Sequence, residues 1–193
     1  GGEIRWRNIF VREIEPAEAN TRLSKIAPKG FDSIFNGRDL SAWQGDTEAY
    51  AVRDQAIWAS AESGGSLFTE ELYANFQARL EFKVPSGGNN GLAIRYPGHG
   101  NPAYEGMTEL QVLDSTALRY AELDVRQYHG SAYGMTPAWR GYMRPVGEWN
   151  FQEVTVVGST IKVELNGNII LQTDLAEVTH YMDDKAHPGK NLT

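Results

Sequence analysis

Apolar and polar residues alternate with a period of two over several short stretches, most clearly from Ala74 to Val84. There Ala74, Phe76, Ala78, Leu80, Phe82 and Val84 alternate with Asn75, Gln77, Arg79, Glu81 and Lys83. That period sets one face against a core and the other in water or a cleft, which predicts a half-buried strand. Pro85-Ser86-Gly87-Gly88-Asn89-Asn90-Gly91 reads as a turn, and Leu92 to Tyr96 as the returning strand. Thr108 to Leu113, Asn150 to Val157 and Thr160 to Leu165 are further predicted strands. Asn166-Gly167 predicts a hairpin into Ile169-Ile170-Leu171. Nearer the N-terminus, Phe31 to Phe35 predicts a short strand, and Tyr50-Ala51-Val52 and Ala56 to Ala59 form a hairpin around Arg53-Asp54-Gln55. Ser66 to Thr69 follows the break at Gly64-Gly65. Ile4 to Ile14 is strand-like with imperfect alternation, Pro16 to Asn20 suits a short helix, and Ala27-Pro28-Lys29-Gly30 reads as a linker. Short strands between turn signals predict an all-β sandwich, a jelly roll of two antiparallel sheets with short helical turns.

Composition narrows the function classes. A chain of 193 residues fits one domain or a domain with an appendage, and it can bury a core without staples. It has no cysteine, which removes disulfides, thiolate zinc sites and a cysteine nucleophile. A net charge of -7 argues against a nucleic-acid partner. No apolar run approaches the roughly 20 residues of a membrane helix, and no signal peptide is visible. A phosphate-binding glycine loop, a dinucleotide fingerprint, a His-Glu-x-x-His helix and a nucleophile elbow are all missing from the sequence.

Four segments carry a resemblance. They are Ile34-Phe35-Asn36-Gly37-Arg38-Asp39-Leu40-Ser41-Ala42-Trp43, Gly87-Gly88-Asn89-Asn90-Gly91, Glu109-Leu110-Gln111-Val112-Leu113-Asp114 and Gly147-Glu148-Trp149-Asn150. In order and spacing they resemble the 3-keto-disaccharide hydrolase family, over about residues 31–193. The resemblance implies a concanavalin-like jelly roll, a carbohydrate substrate and a periplasmic or extracellular location. It also implies an organisation: residues 1–14 look like the family's final strand, 15–30 form a linker, and 31–193 form a jelly roll without its usual last strands. Residues 1–14 are then either the tail of a preceding homologous domain or a strand that fills the sheet, within the chain or by exchange between chains. An unfilled edge exposes unpaired backbone, so pairing of residues 4–14 beside 31–35 or 160–171 is expected.

Glu109-x-Gln111-x-x-Asp114 is the sharpest candidate constellation. On a regular strand Glu109 and Gln111 share a face and Asp114 points away, unless a β-bulge turns it back. The spacing is similar to the Glu-x-Asp-x-x-Glu strand of jelly-roll glycosidases, with an amide in the middle here. Its bland alternative is a polar strand face ending in a turn. His129, within Tyr128-His129-Gly130-Ser131-Ala132-Tyr133-Gly134, is either a proton-transfer group between two sugar-binding tyrosines or a structural loop histidine. Arg95 either faces the same cleft and supports an oxyanion or pairs with a sheet carboxylate. Asn89 and Asn90 either contact hydroxyls or a cation, or simply form the turn. Tyr142 and Arg144 are candidates for a cleft rim, whereas Trp43 and Trp149 are expected in the core. No dedicated metal site is expected. A divalent cation such as calcium on loop oxygens stays open.

Two functions remain at this point. One is a hydrolase or lyase acting on 3-keto-glycosides by proton abstraction, elimination and hydration. Glu109 or His129 would be its base, with Arg95, Asp114 or a cation assisting. The other is a non-catalytic carbohydrate-binding module or accessory domain of a larger glycan-degrading protein.

Overall fold

The structure, a computed structural model, describes residues 6–25, 30–59 and 64–183. One α-helix, α1 (Pro16–Lys25), precedes ten strands among these residues, with four short 3-10 turns between and after them. They are β1 (Trp43–Gly45), β2 (Tyr50–Arg53), β3 (Ala56–Ala59), β4 (Leu67–Thr69), β5 (Phe76–Lys83), β6 (Asn89–Ile94), β7 (Thr108–Leu113), β8 (Trp149–Val157), β9 (Thr160–Leu165) and β10 (Asn168–Asp174).

An antiparallel sheet ordered β10-β9-β8-β5 forms one layer. Its meander follows from turn chemistry. Asn166 and Gly167 close the β9–β10 hairpin with φ of 50° and 84°, the left-handed pair that a tight two-residue turn requires. On β8 and β9 alternate residues turn inward: Val154, Val156, Ile161, Val163 and Leu165 are buried. A register shift between Ile169 and Leu171 breaks that alternation on β10, so Ile170 and Leu171 are both buried.

The facing layer is built on the β6–β7 pair, lengthened by residues 130–133 running antiparallel along the other edge of β7. Gly130 N donates to Gln111 O at 2.8 Å, Gln111 N to Ser131 O at 3.1 Å and Tyr133 N to Glu109 O at 2.9 Å. Ile94, Met107, Leu110, Ala132 and Met135 pack from this layer against the buried residues of β8–β10. This is the expected all-β sandwich. Two small antiparallel pairs, β1–β4 and β2–β3, stand beside the layers.

Several expectations are corrected. Residues 6–14 form no strand and pair with neither sheet, and Trp6, Ile9, Phe10 and Val11 are exposed. Residues 31–35 form no strand; there the chain is held by local turns such as Asn36 Oδ1 accepting from the Arg38 and Asp39 amides. The expected linker is largely α1, which packs on the outer face of β8. Arg144 Nη1 donates to Asn20 Oδ1 at 2.6 Å and Arg79 Nη1 to Ser24 O at 3.2 Å, giving helix polar groups fixed partners. Residues 4 and 5, 26–29 and the His187 loop lie outside the described residues.

Candidate functional site

β7 divides its side chains between two faces. Leu110 points into the core, so Glu109 and Gln111 point to the outer face of the β6–β7 layer. The register pairs Gly91 with Gln111 and Asn89 with Leu113, which puts Asn89 and Gly91 on that same outer face. Gln111 Nε2 donates to Asn89 Oδ1 at 2.7 Å. The Glu109 carboxyl lies directly across Gly91, where a Cβ would overlap Glu109 Oε1. A glycine within a strand here serves close approach of a side chain to backbone.

Burial pushes the Glu109 carboxyl up to about 7. The charged form loses water on this face, and no neighbouring cation offsets the loss. Tyr133 stands opposite Glu109 in the ladder. Its ring meets Tyr104 edge to face at 6.0 Å. Burial, the charge of Tyr133 and a hydrogen bond with Tyr133 raise Tyr104 above the usual phenol range, and the Glu109 charge adds to this. Gln127 Nε2 donates to the Tyr133 hydroxyl at 2.8 Å. The orientation of that amide is set from behind, because Gln127 Oε1 accepts from Asp124 N at 3.2 Å in a capping box. A phenol oxygen that accepts from Gln127 keeps its own O–H for another acceptor.

The other candidates fall elsewhere. Arg95 leaves β6 with a left-handed φ of 52°, and its Nε and Nη2 donate to Ala74 O at 2.8 and 2.5 Å. Asn90 lies within β6 instead of a turn, so alternation sends it to the face opposite Glu109, and its Oδ1 accepts from Gly91 N. The Tyr128 ring is buried; its hydroxyl donates to the carbonyls of Tyr120 and Ala121, at 2.9 and 3.1 Å, and Arg140 covers its face. Trp149 is half exposed beneath Lys83, not in the core.

Asp114, His129, Tyr142 and Arg144 line one hollow of about 740 Å³ at the far end of the ladder. No bulge turns Asp114 toward Glu109. It sits past the end of β7, where Oδ2 accepts from Gly87 N at 2.7 Å and Oδ1 from Thr116 N and Oγ1 at 3.0 and 2.5 Å. Those bonds, that of Gly87 foremost, lower its proton affinity. His129 lies beyond Gln111, in the turn closed by Ser131 N donating to Tyr128 O at 3.1 Å, and it lines this hollow. It stacks on Phe82 at 5.1 Å, and burial pulls its imidazole down to about 4, so it is neutral at pH 7. The Gln152 amide lies against it and opposes that shift, yet no hydrogen bond of normal length and angle joins them.

Among the described residues no three His, Asp or Glu side chains gather to hold a metal ion. Asp114 is already occupied by N–H and O–H donors and does not converge with Glu109. Sequence reading missed Gly91, Tyr104 and Gln127. Asp124-x-x-Gln127 was a visible capping signal for the last, whereas Tyr104 sits in a loop with no pattern.

The sequence pattern of a family described as the 3-keto-alpha-glucoside-1,2-lyase-like domain matches residues 30–190. The 3-keto-disaccharide hydrolase of Bacteroides thetaiotaomicron is 26% identical over 209 aligned positions, covering 91% of this chain and 72% of that protein. Two crystal structures of Parabacteroides distasonis proteins described as glycosyl hydrolases share the fold. The first has a TM-score of 0.71 at 20% identity, over 83% of this chain and 84% of the other. The second has a TM-score of 0.65 at 26% identity, over 73% and 70%.

Proposed function

Since the chain belongs to the 3-keto-alpha-glucoside-1,2-lyase-like domain family, we propose that it is a carbohydrate-active enzyme cleaving 3-keto-glycosides or related disaccharides, with Glu109 as the base. The observation that carries this reading is the desolvated Glu109 carboxyl, near pKa 7, laid across Gly91 on an outer sheet face. A base with that proton affinity is about half ionised at neutral pH and still strong enough to take an acidic carbon-bound proton.

A ketone at C3 acidifies the proton at C2. The Glu109 carboxylate takes that proton, the C–H electron pair becomes a C2–C3 double bond, and the carbonyl π pair moves onto O3. The enolate then re-forms the C3 carbonyl, makes a C1–C2 double bond and expels the oxygen substituent at C1. That leaving oxygen takes a proton from the Glu109 carboxylic acid. Water adding across C1–C2 completes net hydrolysis. Enolate charge on O3 needs a donor, and Tyr133, opposite Glu109, is assigned that role through its O–H; Arg95 is tied to Ala74.

Glu109→Gln keeps the shape and removes the base. Cleavage of a 3-keto-glucoside is expected to fall about 10²–10⁴-fold, with an unchanged circular-dichroism spectrum. Undiminished turnover would overturn the assignment of Glu109. Glycan binding without turnover by the parent chain would make it a carbohydrate-binding module instead.

A further inference from the structure

We infer that the hollow between the 114–116 turn and the 139–146 loop is a second carbohydrate site, shaped for a sugar unit that carries a carboxylate. It goes beyond the Glu109 reading and stands without it.

The floor supplies the first observation. His129, 4% exposed, closes the floor, with the Gln152 amide lying against its ring.

The walls supply the second. Arg140 and Arg144 both line the hollow. Arg140 spends one donor on Ser115 O, at 3.2 Å, and rests its guanidinium on Tyr128 at 3.8 Å. Arg144 is anchored through Nη1 to Asn20 and to the Trp149 carbonyl. A guanidinium carries five N–H donors, so both keep donors for a carboxylate. Asp114 is the acidic residue lining the hollow, and its oxygens are turned to Gly87 and Thr116. Two arginines against one carboxylate in the lining favour an anion there, while Glu148 and Glu81 act on Arg144 from outside the lining.

The rim supplies the third. Trp139 is 77% exposed and Tyr142 is 42% exposed, and both border the opening. Flat apolar faces beside polar groups suit the C–H face of a pyranose. The volume of about 740 Å³ falls inside the usual range for ligand sites.

The test is calorimetric titration of the 193-residue chain with methyl glucuronide and, as a matched neutral probe, methyl glucoside. The glucuronide is expected to bind about tenfold tighter or more, and its binding to weaken as salt rises. Arg140→Gln is expected to remove that preference, and Trp139→Ala to weaken both probes; both sites are exposed, and a thermal melt checks that each variant folds. Glu109→Gln is expected to leave glucuronide binding unchanged, which separates this site from the catalytic reading. Equal affinity for the two probes, no binding of either, or a preference that survives Arg140→Gln would each overturn the inference.

Discussion

Glu109 works as a base only when ionised, so cleavage is expected to rise with pH and level off above about 7. The same carboxyl has a stability signature of opposite sense. Its folded-state pKa is raised from 4.5 to about 7, so the favourable neutral form is fully present below about 4.5 and lost as pH climbs through 7. Glu109→Gln is therefore expected to match the parent near pH 4 and to be more stable at pH 8, by up to about 3 kcal/mol, as read by urea titration at both pH values. A variant less stable at pH 8 would show that the carboxylate is stabilised by a partner. Gly91→Ala tests the geometry around that group. A methyl there displaces the Glu109 carboxyl, so activity is expected to fall about 10²-fold or more with a stability change near 1 kcal/mol. Alternation on β7 was legible, and it put Glu109 and Gln111 together correctly. The bonds that tie Asp114 to Gly87 and the Gln127–Tyr133 contact come from chain segments that no local pattern connects.

Strand elements were the most legible feature. The period of two over residues 74–84 and the Asn166-Gly167 turn predicted β5 and the β9–β10 hairpin, because both signals are local and backbone sterics enforce them. The 85–91 stretch misled: Asn89 and Asn90 favour turns in isolation, but pairing with β7 draws them into β6. α1 is held in place by partners that sequence could not nominate. Arg79 joins Glu153 at 2.6 Å, stacks on Phe31 at 4.7 Å and reaches Ser24 O. This pair is largely buried, with side chains 16% and 12% exposed, unlike the open Arg22–Glu18 pair. Arg79→Ala is expected to cost about 1–3 kcal/mol, because Glu153 loses its partner in a place with little water. Hydrogen exchange should quicken first in α1; unchanged exchange there would mean the helix docks by other contacts.

Across the whole molecule, the two-layer sandwich buries a continuous core from residues 94 to 175 and leaves residues 6–14 outside it. That arm touches the described body through the exposed Arg12–Glu18 ion pair, a class of contact worth little in water. Removing residues 1–14 is expected to move the melting midpoint by no more than about 2 °C. A fall above about 5 °C would mean that the arm pairs with a sheet in solution. The sequence by itself determined the all-β class, most strand positions, the face that carries Glu109 and the exclusion of thiol and nucleotide-loop chemistry, since all of these follow from the residue list or from short-range backbone and side-chain periodicity. Only the tertiary structure decided which distant groups meet: Tyr104 and Gln127 with Tyr133, Arg95 with Ala74, and His129 buried between Phe82 and Gln152. The reason is physical. Periodicity sets the direction in which a side chain leaves its strand, whereas its neighbours, its access to water and hence its proton affinity depend on how the layers stack.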